Sequence, residues 1–596
     1  MSMTPSTYRT RVWRRFWATP QSSPTRGRPS LVDKCVAFLR RSSLLDLFLI
    51  LVICSSIAST LLIWTTCFYR AHTHTPRKRQ DQTAITKIPS PTVVHHQPTT
   101  NSGGVKTLKQ NLRNLGVTSA LHSTYSLTNS ELHVGDTAHF IIQAKDAEGR
   151  NQVTGGDFWF PVLTTDVGSY PAKGGRTAGK VVDHKNGTYS VFFYAGWEGI
   201  AYVHMTLAAT SEATTWLRTK YWPSERLAFW DGEFSGASTL DGQRITEITS
   251  CFLLRRVTSP NLCRIDYNPK ATGSTALYCK LPEKLKCVDF KTVKMNGDVT
   301  GIMNNLFIGK DKRLFQGENY MATLTRGPKT IDILKSKNNI TKHQAPDCRP
   351  NDEPLMNDGF WLNDEWHHLQ CNVRRWDDVQ AVKGCLRHKH VFILGDSNVR
   401  SWYKVLMKRI GYTEWNTLDK EEHARISMDY KNEDLEMSFR SHPRLVTAVK
   451  TTLNETLYEV DFLDNIPSDS CHNFIIIFCP WGHFTQWSTE SYVERTQLLK
   501  EAVLRFRERC PDVPMVIKGA HARDHSILAQ KVYANDYTLW NLGSILKETF
   551  RGTGLYYYDI WQMGLAYGKQ NMHMPWEVVE EEVNWLLSYA CKKDKD

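Results

Sequence analysis

VFILGDSNVRSW, residues 391–402, begins with four apolar residues, reaches Gly395-Asp396-Ser397, and continues as a polar stretch with helix-compatible spacing. A short apolar run followed at once by helical spacing is the signature of a strand feeding a helix in an α/β unit. Ligands of such sheets bind beyond the carboxyl ends of the strands, and Ser397 falls at one. Gly395 permits a tight turn there. A helix starting near Asn398 would aim its N–H groups and positive dipole end at the hydroxyl, where they can hold a developing oxyanion. The plainer alternative is that Asp396 or Ser397 only caps the helix.

The neighbouring sequence repeats the pattern. HVFILG (390–395), FIIIFC (474–479), PMVIKG (514–519) and LYYYD (555–559) read as short buried strands. Tyr492, Leu499, Val503, Phe506 and Cys510 recur at helical steps and mark one face of a crossover helix. Residues 348–596 are therefore expected to form an α/β domain with a largely parallel sheet covered on both sides. A serine hydroxyl is a poor nucleophile at neutral pH without a base. His573, in a Met- and Pro-flanked loop after the last strand, would lie on the same rim as Ser397.

Upstream, HFIIQAKD, TYSVFFYAG and IAYVHMTL alternate apolar and polar residues and are separated by turn signals. Strands of that length and spacing predict an Ig-like antiparallel β-sandwich over 110–217. Residues 218–347 contain Cys251, Cys263, Cys279 and Cys287 without a clear period and read as a Cys-rich, disulfide-braced region. Eleven cysteines occur from Cys251 onward, so at least one thiol is free or pairs between chains.

Leu47 to Phe68 is 22 residues without a charge. At 1.5 Å per residue it is long enough to cross a bilayer, and it reads as a transmembrane signal anchor, 47–68. Residues 1–46 form a basic tail with nine Lys or Arg against Asp33 and Asp46, and 69–109 a polar stem rich in Thr, Pro and His. Much of the net charge of +13 thus belongs to the tail. With no zinc-finger or RNA-binding motif, a nucleic-acid partner is not expected, nor is a metal on the stem histidines. Basic residues flank the apolar segment almost equally, so orientation rests on the cysteines, which suit an oxidising lumen. The sequons at Asn186, Asn339 and Asn454 agree. The expectation is a single-pass type II membrane protein of the secretory pathway, in the Golgi, with a cytosolic tail and a luminal bulk.

GDSNVRSW with a His far downstream resembles the GDSL/SGNH esterase superfamily in its PC-esterase branch. DGFWLNDEWHHLQC (358–371) and DIWQMGLAYGKQNMHMP (559–575) are similar to the neurexophilin and PC-esterase domain family, NXPE. EGRNQVTGGDFWFPVL and KVVDHKNGTYSVFFYAGWEG resemble its neurexophilin-like half, and the likeness spans roughly residues 110–591. It implies an SGNH-hydrolase-like domain in which Ser397 is the nucleophile, Gly395 and Asp396 complete its block, and His573 is the general base. It also places Gly482 and His483, in WGHF, where such enzymes carry an oxyanion Gly and Asn; the Asn is absent here.

The family's triad Asp, three residues before the His, is replaced by Gln570 with Asn571 beside it, and Asp559 is a substitute carboxylate. Arg400, one turn beyond Ser397, is a candidate anion binder or a local ion-pair partner. The resemblance implies carbohydrate O-acetyl chemistry, in its sharpest form a sialic-acid O-acetyltransferase using acetyl-CoA as donor with no cofactor held. The alternatives are a carbohydrate esterase using the same Ser and His, or a silent binding glycoprotein whose neurexophilin-like half meets a cell-surface protein.

Overall fold

The computed structural model describes residues 116–591 apart from 167–173, 224–229, 256, 267, 296–305, 338–344, 351–354, 422, 444–450, 453–456, 524, 526 and 569–571. The tail, apolar segment and stem read at 1–46, 47–68 and 69–109 lie outside these residues, as do Asn339, Asn454, Gln570 and Asn571.

Alternation of apolar and polar residues makes one-sided strands, and these pair into two antiparallel sheets. Thr124–Leu127, Thr137–Gln143, Thr188–Tyr194 and Lys180–Asp183 form the first. The second is built on Phe158–Thr164 and the eleven-residue strand Gly199–Ala209. Phe140, Ile142, Val191 and Phe193 from the first sheet and Trp159, Leu163, Met205 and Leu207 from the second fill the core between them. The second sheet also takes strands from far along the chain: Tyr320–Thr323, Thr330–Ile333 and the hairpin Gly359–Leu362/Glu365–His368. A third antiparallel sheet contains Trp230–Ala237, Arg244–Arg255, Leu262–Asp266, Thr275–Lys280 and Phe290–Met295, and Thr451–Thr452 closes its edge.

The fourth sheet carries the candidate site. Its strands are β1 (Lys389–Gly395), β2 (Ser427–Lys431), β3 (Leu435–Ser441), β4 (Phe474–Cys479), β5 (Met515–Lys518) and β6 (Tyr556–Tyr558), in the order β2-β3-β1-β4-β5-β6. β3, β1, β4, β5 and β6 run parallel, whereas β2 is antiparallel to β3. The connection between β2 and β3 is too short for a crossover: Asn432 Oδ1 accepts from the N–H groups of Asp434 and Leu435, closing a hairpin. Five helices matter below: α1 (Ser397–Arg409), α2 (Thr489–Arg509), α3 (Asp536–Phe550), α4 (Trp561–Tyr567) and α5 (Trp576–Ala590). α2 buries Tyr492, Leu499, Val503 and Phe506, the face read from the sequence.

The expected fold class is corrected by these sheets. Instead of a sandwich, a Cys-rich region and a plain α/β domain in series, the described chain is a mixed, sheet-rich fold. Three of its four sheets are wholly antiparallel, and segments distant in sequence complete them. Among the described residues no helix is long and apolar enough to cross a membrane. The cysteines between 251 and 287 brace an ordered sheet through Cys251–Cys279 and Cys263–Cys287. Cys348–Cys371, Cys385–Cys591 and Cys471–Cys510 complete the pairs and leave Cys479 as the buried free thiol, which accounts for the odd count.

Candidate active site

The carboxyl ends of β1, β3, β4 and β5 converge on one polar cluster. At the end of β1, Gly395 pairs in register with Cys479 of β4. A Cβ on Gly395 would lie 2.6 Å from Val399 Cγ2 and 2.7 Å from Cys479 Cβ, so close packing of α1 on the strands requires glycine there. Asp396 then caps α1, its Oδ1 accepting from Asn398 N at 2.8 Å. Both its oxygens also accept from Asn398 Nδ2, and Oδ1 receives the Cys479 thiol at 3.4 Å. The cap and the candidate nucleophile are thus neighbouring residues: Asp396 does the capping and Ser397, the first helical residue, keeps its side chain for other work.

That side chain meets His573. Ser397 Oγ and His573 Nε2 are 2.6 Å apart, a hydrogen bond spanning 176 residues of sequence. His573 is exposed and Ser397 partly buried, so the pair opens to solvent. Burial of the ring's inner side holds the His573 pKa below the usual imidazole value; Arg523 and Arg400 act the same way, while Asp396 opposes them.

Asp396 is itself almost wholly buried. Burial pushes its pKa up, but His483, His442, Arg523 and the Asn398 N–H together outweigh this and leave it below the usual carboxylate range. Its surroundings are tight: a Cβ on Gly482 would sit 2.2 Å from Asp396 Oδ2 and 3.0 Å from Arg523 Nη2. His483 follows in the same 3-10 turn, and its Nδ1 lies 3.2 Å from His442 Nε2. Behind His442, Glu459 Oε1 stands 3.9 Å from Nδ1, and Glu459 Oε2 accepts from Arg495 at 2.6 Å. Burial lowers the pKa of both His442 and His483, and the nearby Asp396 carboxylate opposes it in each.

The structure therefore brings Gly395, Asp396, Ser397, Gly482, His483 and His573 together. Arg400 is close enough to act on His573 but is held by Asp419, at 3.1 Å, and by the Arg425 carbonyl. Asp559 stands apart: it pairs with Lys547 at 2.8 Å and accepts from Trp561 N, and it lines a different cavity. Among the described residues no carboxylate lies within ion-pair distance of His573; Asp396 is the anion whose field it feels most. Asn186, the sequon that is described, sits in an exposed turn, with Oδ1 bonded to Thr188 N and Oγ1.

Arg523, His442 and Cys479 escaped the reading of the sequence. Arg523 lies just past β5, over the Trp481 ring at 5.0 Å, with its N–H bonded to Asp536. A signal for it exists in the segment after PMVIKG, where charged residues and histidines crowd a strand end.

Residues 366–591, which contain both Ser397 and His573, match the family model described as NXPE family member 4-like, C-terminal domain. Among solved structures the chain is similar to FdeC, an Escherichia coli adhesin, at 12% identity over 37% of this chain and 66% of that one, with a TM-score of 0.13. That likeness is too slight to bear on the fold. The family match covers every strand of the fourth sheet and the whole polar cluster at its rim, so it is residues 366–591 that resemble the NXPE family C-terminal domain.

Proposed function

We propose that the protein is a Ser/His acyl-transfer enzyme acting on glycans. The observation that carries this is the 2.6 Å contact between Ser397 Oγ and His573 Nε2 at the start of α1. In the first half-reaction Ser397 Oγ attacks the donor's acyl carbon while His573 Nε2 takes its proton; the donor's leaving group departs with that proton, and an acyl-serine remains. In the second, an acceptor hydroxyl attacks the acyl-serine, His573 takes the acceptor's proton, and it returns that proton to Ser397. The oxyanion faces the first turn of α1, and the main-chain N–H groups of Ser397 and Gly482 are the donors we assign to it.

The sharpest form of the proposal is sialic-acid O-acetylation with acetyl-CoA as the acyl donor, in the secretory pathway, most naturally the Golgi lumen. Five disulfides among the described residues favour an oxidising compartment. A second reading is hydrolysis of the same acyl-serine, an esterase, and the exposure of His573 favours it because water reaches the pair. Expression of the full chain and its Ser397→Ala form, followed by mass spectrometry of released sialic acids, separates the two. A Ser397-dependent gain of O-acetyl groups indicates a transferase and a Ser397-dependent loss an esterase; equal levels would reject sialic acid as the substrate.

A further inference from the structure

A second concave site lies on the same fold. A cavity of about 410 Å³ opens between the first two sheets and the rim beyond β5 and β6, and neither Ser397 nor His573 lines it. Its size falls within the usual range of small-ligand pockets. Ala520 and Asp559 follow β5 and β6, so it occupies the position at which sheets with parallel strands hold ligands.

We propose that this cavity binds a saccharide, independently of the acyl-transfer pair. The case begins with α3. Trp540, Gly543, Ser544 and Lys547 line the cavity at i, i+3, i+4 and i+7, one continuous helix face. An interior helix face with that spacing would be apolar; this one instead presents an indole, a notch, a hydroxyl and an ammonium. Trp540 lines the cavity and is 42% exposed, so part of its indole is open to a guest. It is not floppy: its ring lies nearly parallel to Tyr537, with centroids 6.0 Å apart, and 5.8 Å from Phe158. A fixed, open aromatic face of this kind suits the C–H face of a sugar ring.

The polar groups narrow the class. Lys547 is bonded to Asp559, and Lys185 to Asp183, each pair presenting donor and acceptor side by side. Vicinal hydroxyls, which donate and accept at adjacent atoms, match such pairs. Among the described residues, the Asp358 carboxyl has no hydrogen bond or ion pair, and burial followed by the nearby Asp559 pushes its pKa up to about 7. A carboxyl in that state can donate or accept. The carboxylates interleaved with the lysines argue against a polyphosphate, which they would repel, and the density of charge argues against a purely apolar guest.

The test is saturation-transfer NMR on the full chain with methyl β-galactoside, N-acetylglucosamine and N-acetylneuraminic acid as separate probes. At least one should receive saturation at the C–H protons of one ring face. Trp540→Ala should weaken that binding about tenfold or more, as truncation of a central aromatic anchor does, while Trp540→Phe retains most of it. Lys180→Gln, on the opposite wall, supplies a second weakening variant should Trp540→Ala fold poorly. Ser397→Ala should bind as the unmodified protein does, even if the acyl-transfer proposal fails. The inference is overturned if none of the three sugars shows transfer, if Trp540→Ala and Lys180→Gln bind normally, or if Ser397→Ala abolishes binding.

Discussion

Ser397 Oγ and His573 Nε2 meet at 2.6 Å although one opens α1 and the other lies in the loop before α5. What holds them there is a pair of anchors. Asp396 fixes the start of α1 through Asn398. Met574, buried beside His573, packs so closely that a Cβ on Gly564 of α4 would lie 2.4 Å from its methyl carbon.

Replacing Ser397 with Ala removes the nucleophile and nothing structural, because the cap belongs to Asp396. We expect kcat/KM toward a small activated ester to fall by at least about 10³, the scale of losing a nucleophile that works with a base. Thermal unfolding should be unchanged, and circular dichroism checks that control.

The acid limb of the same activity should report His573. A base must be uncharged to accept a proton, so activity rises with pH through the His573 pKa, which lies below the ordinary imidazole value. Burial is the main cause, with Arg523 and Arg400 adding to it. Arg523→Gln removes a cation that disfavours the imidazolium, so the limb should move to higher pH. Asp396→Asn removes the anion that favours it, so the limb should move to lower pH. A pH–rate profile for the three proteins checks both signs.

Gly395→Ala tests the packing beneath the site. The added methyl would lie 2.6 Å from Val399 Cγ2 and 2.7 Å from Cys479 Cβ, both in the core, so strand or helix must shift. Overpacking of this kind costs about 1–3 kcal/mol. Urea unfolding should show it, and ester turnover should fall with it because Ser397 moves with α1.

A buried charge pair ties α5 to the sheet. Lys518, at the end of β5, is salt-bridged to Glu582 of α5, and Trp402 of α1 donates its indole N–H to the same carboxylate; all three residues are almost wholly buried. Lys518→Met strands an uncompensated carboxylate and should cost about 3–5 kcal/mol in urea unfolding. Lys518→Met combined with Glu582→Leu should be less damaging than the single change, since no charge is then left buried without a partner.

The parts of the fold that were legible in the sequence are those whose residues declare themselves locally. The apolar runs at 390–395 and 474–479 lie in β1 and β4 because they are buried on both faces, and a continuous Ile/Phe/Val run has few other uses. β2 and β3 were missed because SMDYK, at the sheet edge, and LEMSFRS, one strand in, mix polar and apolar residues, and a hairpin closed by Asn432 leaves only a weak trace. The antiparallel character of the rest depends in part on pairings between segments far apart in sequence, such as Trp361 with Arg176, which no local pattern encodes. At the site, Ser397 and His573 stood out through their places at strand ends. Arg523 and His442 act through burial beside Asp396, and burial is a property of the assembled rim.

The most direct test of the account is peptide mass spectrometry of the full chain after brief reaction with p-nitrophenyl acetate. An acetyl group should be found on Ser397, within the peptide containing VFILGDSNVRSW, and its formation should be far slower in His573→Ala. Absence of an adduct on Ser397, or equal labelling of the His573→Ala protein, would contradict the assignment of these two residues as nucleophile and base.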